Sequence, residues 1–286
     1  MTNEAPKAGV SLQMQDGLAC VLAPNPSPMT YWGTNTYLLG WDSLAIIDPG
    51  PLDTDHLAAL IVAIDGRPVS HILVTHSHLD HSPLAGPMSK TTGAPVLAYG
   101  DAMAGRSAVM NDLVAGGLSS GGEGVDASFA CDISLADGEI FTAGGMQIMA
   151  IWTPGHFANH LSFAVQDIVF TGDHIMAWAS SLVSPPDGDL TAFMSSCRKL
   201  AARQDRAFYP AHGDRIEDPA ARLNWLINHR LTREAEILDM LSDLQDTTVP
   251  ALTRAIYTET PAALIPAAER NVFAHLIDLS TREVVV

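Results

Sequence analysis

The sequence predicts a layered α/β sandwich followed by a small helical module, and three observations predict it. Short apolar segments of strand length alternate with capped, amphipathic helical stretches up to about residue 217. Several of the apolar segments run directly into turns that carry His or Asp. From Asp218-Pro219 onward the pattern turns helical, with Asp218 as N-cap and Pro219 at the first helical position.

The elements follow in order. Tyr37-Leu38-Leu39-Gly40 and Leu44-Ala45-Ile46-Ile47-Asp48 read as two strands around a turn at Trp41-Asp42-Ser43. Pro49-Gly50-Pro51 breaks the chain, and Asp53 caps a helix running to about Ile64. His71 to Thr75 is a short apolar strand of the kind buried on both faces, and Pro95 to Ala98 is another. Residues 111–130, with the glycine-rich run from Gly116 to Gly124, read as irregular, either a lid over a site or a loose tip. Strands resume at Ile140-Phe141-Thr142, Gln147 to Trp152 and Leu161 to Val165; Gln166-Asp167 turns the chain and Ile168 to Thr171 pairs back as a hairpin. Helical periodicity spans Leu190 to Arg203, and Ala207-Phe208-Tyr209 is a last short strand. The module beyond has one helix to about Leu241 and two shorter ones, near Pro250 to Tyr257 and Ala262 to Leu279; the tail Arg282 to Val286 is a candidate wing strand. The chain therefore divides into residues 1–217, a catalytic domain, and 218–286, a helical domain.

Composition narrows the function. A chain of 286 residues that is 47% hydrophobic has enough apolar surface for a proper core. Its 32 acidic against 15 basic residues give a net charge of −17, which repels polyphosphate at long range. No apolar run has the length of a membrane span, and the polar start from Met1 to Lys7 lacks the apolar core of a secretory signal. Cys20, Cys131 and Cys197 are odd in number and far apart, so neither a disulfide framework nor a cysteine metal site is expected. A cytoplasmic enzyme fits. No segment specifies a homodimer, which stays open.

The chemistry concentrates in His76-Ser77-His78-Leu79-Asp80-His81, immediately after the apolar strand. Strand ends are where α/β folds place their sites, and the strand period aims residues 76 and 78 the same way. Imidazole and carboxylate suit zinc, which keeps an open position for water in catalytic sites. Other strand ends offer His156 in Thr153-Pro154-Gly155-His156, Asp173 in Gly172-Asp173, and His212 in Ala211-His212-Gly213. In each, Gly or Pro bends the chain and leaves one donor at the rim.

These motifs closely resemble those of the metallo-β-lactamase superfamily over roughly residues 12 to 216. The resemblance implies a four-layered αββα metallo-β-lactamase sandwich and two zinc ions, although iron or manganese suits the same ligands. It implies that His76, His78 and His156 bind one ion, that Asp80, His81 and His212 bind the other, and that Asp173 bridges them. A hydroxide between the ions would attack the substrate, with Asp80 orienting it. Ser82-Pro83-Leu84-Ala85-Gly86 departs from the Gly-Gly pair common in the family, so the next helix is expected to start differently, near Pro83. Antibiotic-degrading members are secreted and end differently, which points away from β-lactam drugs as substrates.

A narrower resemblance is to the lactamase-β-like branch with a C-terminal winged-helix-like module, carried by Asn25 to Thr30, by Gly33 to Leu38 and by His229-Arg230-Leu231-Thr232-Arg233-Glu234. The wider superfamily resemblance makes His160 a candidate for backing the ligands or facing the substrate. His229, Arg230 and Arg233 read in two ways. They form a solvated helix face with pairs such as Arg230–Glu234, or they rim the cleft and read an anionic substrate group.

The leading expectation is a hydrolase of a small ester, thioester or lactone. The alternative is an endoribonuclease or phosphodiesterase acting on single-stranded RNA, as some branch members are. It is disfavoured by 6 basic against 10 acidic residues from 218 onward. A non-catalytic assembly protein is the third reading, and a complete ligand set argues against it.

Overall fold

A computed structural model describes residues 5–119, 124–243 and 247–285. The first sheet has seven strands in sequence order: β1 (Ser11–Gln15), β2 (Leu18–Leu22), β3 (Asn35–Gly40), β4 (Leu44–Ile47), β5 (Val69–Leu73), β6 (Val96–Ala98) and β7 (Ile133–Ser134). It is antiparallel from β1 to β4 and parallel from β4 to β7. The second contains β8 (Ile140–Ala143), β9 (Met146–Trp152), β10 (Leu161–Val165), β11 (Ile168–Gly172) and β12 (Ala207–Pro210), in the order β12-β11-β10-β9-β8. Only β11 and β12 pair in parallel there.

The inner faces meet in one core, where Tyr37, Leu39, Ile47 and Leu73 pack on Ile148, Phe163, Phe170 and Tyr209. Each such fully buried side chain contributes roughly 1.5–3 kcal/mol. Helices α1 (Thr54–Ile64) and α2 (Ala85–Thr92) cover the outer face of the first sheet through Leu60, Ile64 and Met88. After α3 (Ala108–Ala115), helices α4 (Leu190–Ala201) and α5 (Pro219–Asp243) cover the second, with Phe193, Leu200, Leu223 and Leu226 against Val169 and Phe208. The result is the αββα sandwich.

The C-terminal part is α5, α6 (Val249–Ile256) and α7 (Ile265–Thr281). The start of α5 belongs to the sandwich, while Ile237 further along joins Leu252, Val272 and Leu279 in a separate small core. One helix thus contributes to both cores. No described helix is long and apolar enough to cross a membrane.

Four differences from the sequence reading have physical reasons. The hairpin β1–β2 was not among the expected strands, although Asp16-Gly17 between alternating residues is its signal; Gly17 has φ +67°. Helix α3, capped by Ser107, takes residues 108–115 out of the segment expected to be irregular. Beyond it, Gly124 to Asp126 runs antiparallel against the His-rich motif: Leu79 N donates to Gly124 O (2.6 Å) and Asp126 N to Ser77 O (2.8 Å). This part is therefore packed rather than a loose tip, and residues 120–123 lie outside the described residues. Third, α2 begins at Ala85, past Pro83. Finally, residues 282–285 form no strand, because Val284 N turns back to Leu279 O and Val285 packs on the small core.

Candidate metal centre

Four loops at the strand ends bring seven donors together. His76, His78, His156 and Asp173 form one group, and Asp80, His81, Asp173 and His212 another, with the donor atoms of each group all within 4.8 Å of one another. Asp173 alone belongs to both. His76 Nε2 lies 2.9 Å from His78 Nδ1, and His156 Nε2 lies 3.2 Å from that same atom. His212 Nε2 stands 3.2 Å from Asp80 Oδ2 and 3.2 Å from Asp173 Oδ1. His81 Nε2 stands 3.6 Å from Asp80 Oδ2 and 3.5 Å from Asp173 Oδ2. Ligands about 2.05 Å from a tetrahedral zinc ion are separated by roughly 3.3 Å, so the spacing fits a divalent ion in each group. The buried atoms fit too. His81 Nε2, His212 Nε2 and Asp173 Oδ1 have no hydrogen-bond partner among the described residues. Orphans of this kind cost about 1–3 kcal/mol each unless something satisfies them.

The imidazoles are oriented from behind. Thr75 Oγ1 donates to Asp48 Oδ2 (2.7 Å), so toward His76 Nδ1 (3.0 Å) it can only accept. His81 Nδ1 donates to Asp48 Oδ2 (2.9 Å), His156 Nδ1 to Leu182 O (2.7 Å) and His212 Nδ1 to Gly33 O (3.0 Å). Each Nδ1–H is thereby committed, and each Nε2 faces the centre, which is the way supporting groups fix a ligating histidine. His78 is the exception, facing the centre through Nδ1.

Asp48 is the residue that sequence reasoning missed. It sits just past β4 with φ +49°, 1% exposed, and also accepts from Thr75 N (2.7 Å). The signal was present, since Asp48-Pro49-Gly50 repeats the pattern of a strand end, a Pro/Gly bend and one rim donor. Its role depends on β4 lying parallel beside β5, which places Asp48 next to the motif.

Charge divides the groups. Burial, reinforced by neighbouring imidazoles, holds His76 well below the usual histidine range and pushes His78 down to about 3. In the second group burial opposes protonation but the carboxylates outweigh it. Asp80, Asp173 and Asp48 hold His81 well above the ordinary value, and Asp173 and Asp80 push His212 up to about 10. Burial also works against the ionised Asp173, yet His212 and His81 outweigh it and keep its carboxyl well below the usual range. Burial likewise holds His156 below the ordinary range, so His76, His78 and His156 are kept neutral and Asp173 ionised, the forms that bind metal.

The remaining candidates fall elsewhere. His160 is buried, joined to Thr153 Oγ1 (2.9 Å), with its ring 5.1 Å from that of His76; it makes no described hydrogen bond to the seven donors. His174, which follows Asp173 in the chain and was not among the candidates, packs on Phe193 with Nε2 3.8 Å from Cys197 Sγ. His229 stacks on Trp225 (5.0 Å), and Arg233 pairs with Glu236 (2.5 Å) while lying over the Tyr257 ring. The pair Arg230–Glu234 does not form. Arg230 is buried and donates to Ser181 O and Asn271 Oδ1, while Glu234 pairs with Arg282. The helix face is therefore mostly packed rather than solvated, because α7 and residues 181–186 lie against it.

Tyr31 stacks on Trp178 (ring centroids 4.9 Å apart) and meets Trp32 at a tilt (4.7 Å), and Trp178 lies over Gly213 beside His212. Leu79, inside the motif, is half exposed. The surroundings of the centre are thus apolar and aromatic on these sides.

Comparison with known proteins shows the family and the fold. The family profile described as "Metallo-beta-lactamase superfamily" matches residues 29–212, and "Beta-lactamase associated winged helix domain" matches residues 248–286. The chain is 32% identical to the "Beta-lactamase-like protein 2 homolog" of Drosophila melanogaster, covering 91% of this chain and 86% of that one. It is 30% identical to the "Atrochrysone carboxyl ACP thioesterase" of Aspergillus fumigatus, covering 79% of this chain and 65% of that one. Among solved structures, a beta-lactamase domain protein from Burkholderia ambifaria shares the fold with TM-score 0.81 at 19% identity, over 100% of this chain and 92% of that one.

Proposed function

From the premise that the chain belongs to the metallo-β-lactamase superfamily, as a metal-dependent hydrolase, we propose that it holds two zinc ions and cleaves a small ester, thioester or lactone. The observation that carries this reading is the pair of donor groups sharing Asp173, with Nε2 of His76, His81, His156 and His212 turned inward by their Nδ1 partners. When bound, such an ion pair supplies an acidified water and a Lewis acid for the substrate carbonyl. The chain's own residues do the rest. Asp80 has a side chain 26% exposed against 9% for Asp173, so it is the carboxylate placed to orient the attacking water and take up its proton. Leu79, Tyr31 and Trp178 offer apolar surface to an acyl group. We assign residues 1–217 to the catalytic domain and 218–286 to the helical domain, and we place the enzyme in the cytoplasm, in keeping with three free thiols.

The thioesterase among the relatives supports a carboxylic-acid derivative as substrate. So does the use made of the module's basic residues. Five of its six arginines (Arg222, Arg230, Arg233, Arg270 and Arg282) are spent on backbone carbonyls, carboxylates or neighbouring polar side chains of the protein itself. A phosphate backbone needs such cations to be available.

The test is a turnover panel of acyl thioesters, lactones, carboxylic esters, phosphodiesters and single-stranded RNA with the zinc-loaded full chain. The expected result is saturable hydrolysis of a carboxylic-acid derivative that falls about 10²–10³-fold in Asp80→Ala, the scale of a lost positioned acid–base group. Asp80-dependent cleavage confined to phosphodiesters or RNA would replace this reading.

A further inference from the structure

The C-terminal helices grip one short segment from outside, and that segment holds the metal centre from inside. Arg230 of α5, 2% exposed, donates to Ser181 O and to Asn271 Oδ1 (3.0 Å). Asn271 of α7 also accepts from Val183 N (3.1 Å) through the same Oδ1. The neighbouring Arg270 donates to Ser184 Oγ (2.9 Å) and to Pro185 O. Between these anchors Leu182 faces the other way, and its carbonyl accepts His156 Nδ1–H (2.7 Å). Ser181 Oγ lies 2.5 Å from Asp173 O and 2.8 Å from His174 O, tying the segment to the backbone of the shared carboxylate.

The choice of residue at 230 is informative. A buried guanidinium is costly, and an apolar side chain of similar size commonly serves packing as well or better. Among the described residues the charge meets no carboxylate. It is met by a carbonyl, an amide oxygen and the Phe193 ring at 5.2 Å. The arrangement makes sense as a clamp that fixes where residues 181–183 stand. The two groups of donors are unequal in this respect. His156 depends on the clamped segment through its ring, whereas His81 is held by Asp48 and His212 by Gly33; Asp173 meets the segment only through its backbone oxygen, and its carboxylate is not held by it.

We propose that Arg230 and Asn271 are positioning residues of the metal centre, through which the helical domain sets the stance of His156 and so the affinity of one ion rather than both. This rests on the metal-centre reading above. Wild-type protein that takes up no divalent ion would defeat that reading, whereas wild-type uptake of two ions with unaltered variants would defeat this inference alone.

The experiment titrates the metal-free full chain with Co²⁺, following its absorption bands, and then with Zn²⁺ against a competing chelator, to obtain two dissociation constants. Asn271→Leu removes the shared acceptor at nearly constant size; Asn271→Asp keeps an acceptor for both Val183 N–H and Arg230. Arg230→Lys keeps the charge but not the two-pronged grip. Asn271→Leu and Arg230→Lys are expected to weaken one ion about 10–100-fold, the scale seen when a partner behind a ligand is lost. The other ion should stay within about threefold of wild type, as should both ions in Asn271→Asp. Equal weakening of both ions, wild-type binding in Asn271→Leu, or an Asn271→Asp variant as impaired as Asn271→Leu would each overturn the inference. Should Asn271→Leu fail to fold, Arg230→Lys against Asn271→Asp decides by the same criteria.

Discussion

Asp173→Ala is expected to abolish turnover and to leave the protein with at most one ion per chain. Asp173 is the one residue common to both donor groups, with Oδ1 3.2 Å from His212 Nε2 and Oδ2 3.5 Å from His81 Nε2 and 3.7 Å from His156 Nε2. Its removal deletes a ligand from each group at once. It also takes away the negative charge that faces two imidazoles held above their ordinary pKa. Losing an ion's stabilisation of the developing charge costs several kcal/mol, so the rate should fall on the order of 10⁴-fold or more. Asp173→Asn restores the shape but not the charge, and should rescue neither loading nor rate. Metal content by mass spectrometry and initial rates on the best substrate of the panel check both. An Asp173→Ala protein that keeps two ions at wild-type affinity would show that the shared carboxylate has been misplaced.

Gly155→Ala is expected to destabilise the fold and to misplace His156. Gly155 has φ +148°, and a Cβ there would stand 2.3 Å from Phe193 Cα and 2.7 Å from Phe193 N. Both atoms are backbone of α4, with no flexible side chain to swing away. Gly155 O also accepts from Asp189 N (2.8 Å), at the cap of the same helix. Backbone strain and overpacking each cost about 1–3 kcal/mol, for a loss of roughly 2–6 kcal/mol together. For a domain of this size that lowers Tm by very roughly 5–15 °C. Gly66→Ala is the control, since Gly66 is also left-handed at φ +71° but has nothing within 4 Å of where the added methyl would stand. It carries a left-handed conformational cost without the clash, and should lose about 1–2 kcal/mol. A Gly155→Ala protein that melts with the Gly66→Ala control would refute the close approach of the Thr153–His156 turn to α4.

The residues that converge on the centre were legible because each lies where an apolar strand meets a bend. His76 to His81 follow β5, His156 follows β9, Asp173 follows β11 and His212 follows β12. Local pattern alone could mark these positions. The sandwich was legible for the same reason, from the order of strands and helices. What stayed hidden depends on distant parts of the chain meeting. Asp48 looks like the last residue of a strand until β5 is laid beside β4. Arg230 looks like a surface residue one turn from Glu234 until α7 and residues 181–183 pack on it. The hairpin of β1 and β2 was a different case. Its Asp16-Gly17 turn and the alternation of Ser11 to Gln15 were both local signals, but only Leu12 and Met14 of that strand are apolar, which makes the pattern short.

The central claim is that one carboxylate holds two ions in a single centre, and the most direct measurement is anomalous diffraction from crystals of the zinc-loaded full chain. The account predicts two peaks per chain about 3.5–4 Å apart. One should lie among His76, His78 and His156 and the other among Asp80, His81 and His212, with Asp173 in contact with both. A single peak, or two peaks of which either lies away from Asp173, would contradict it.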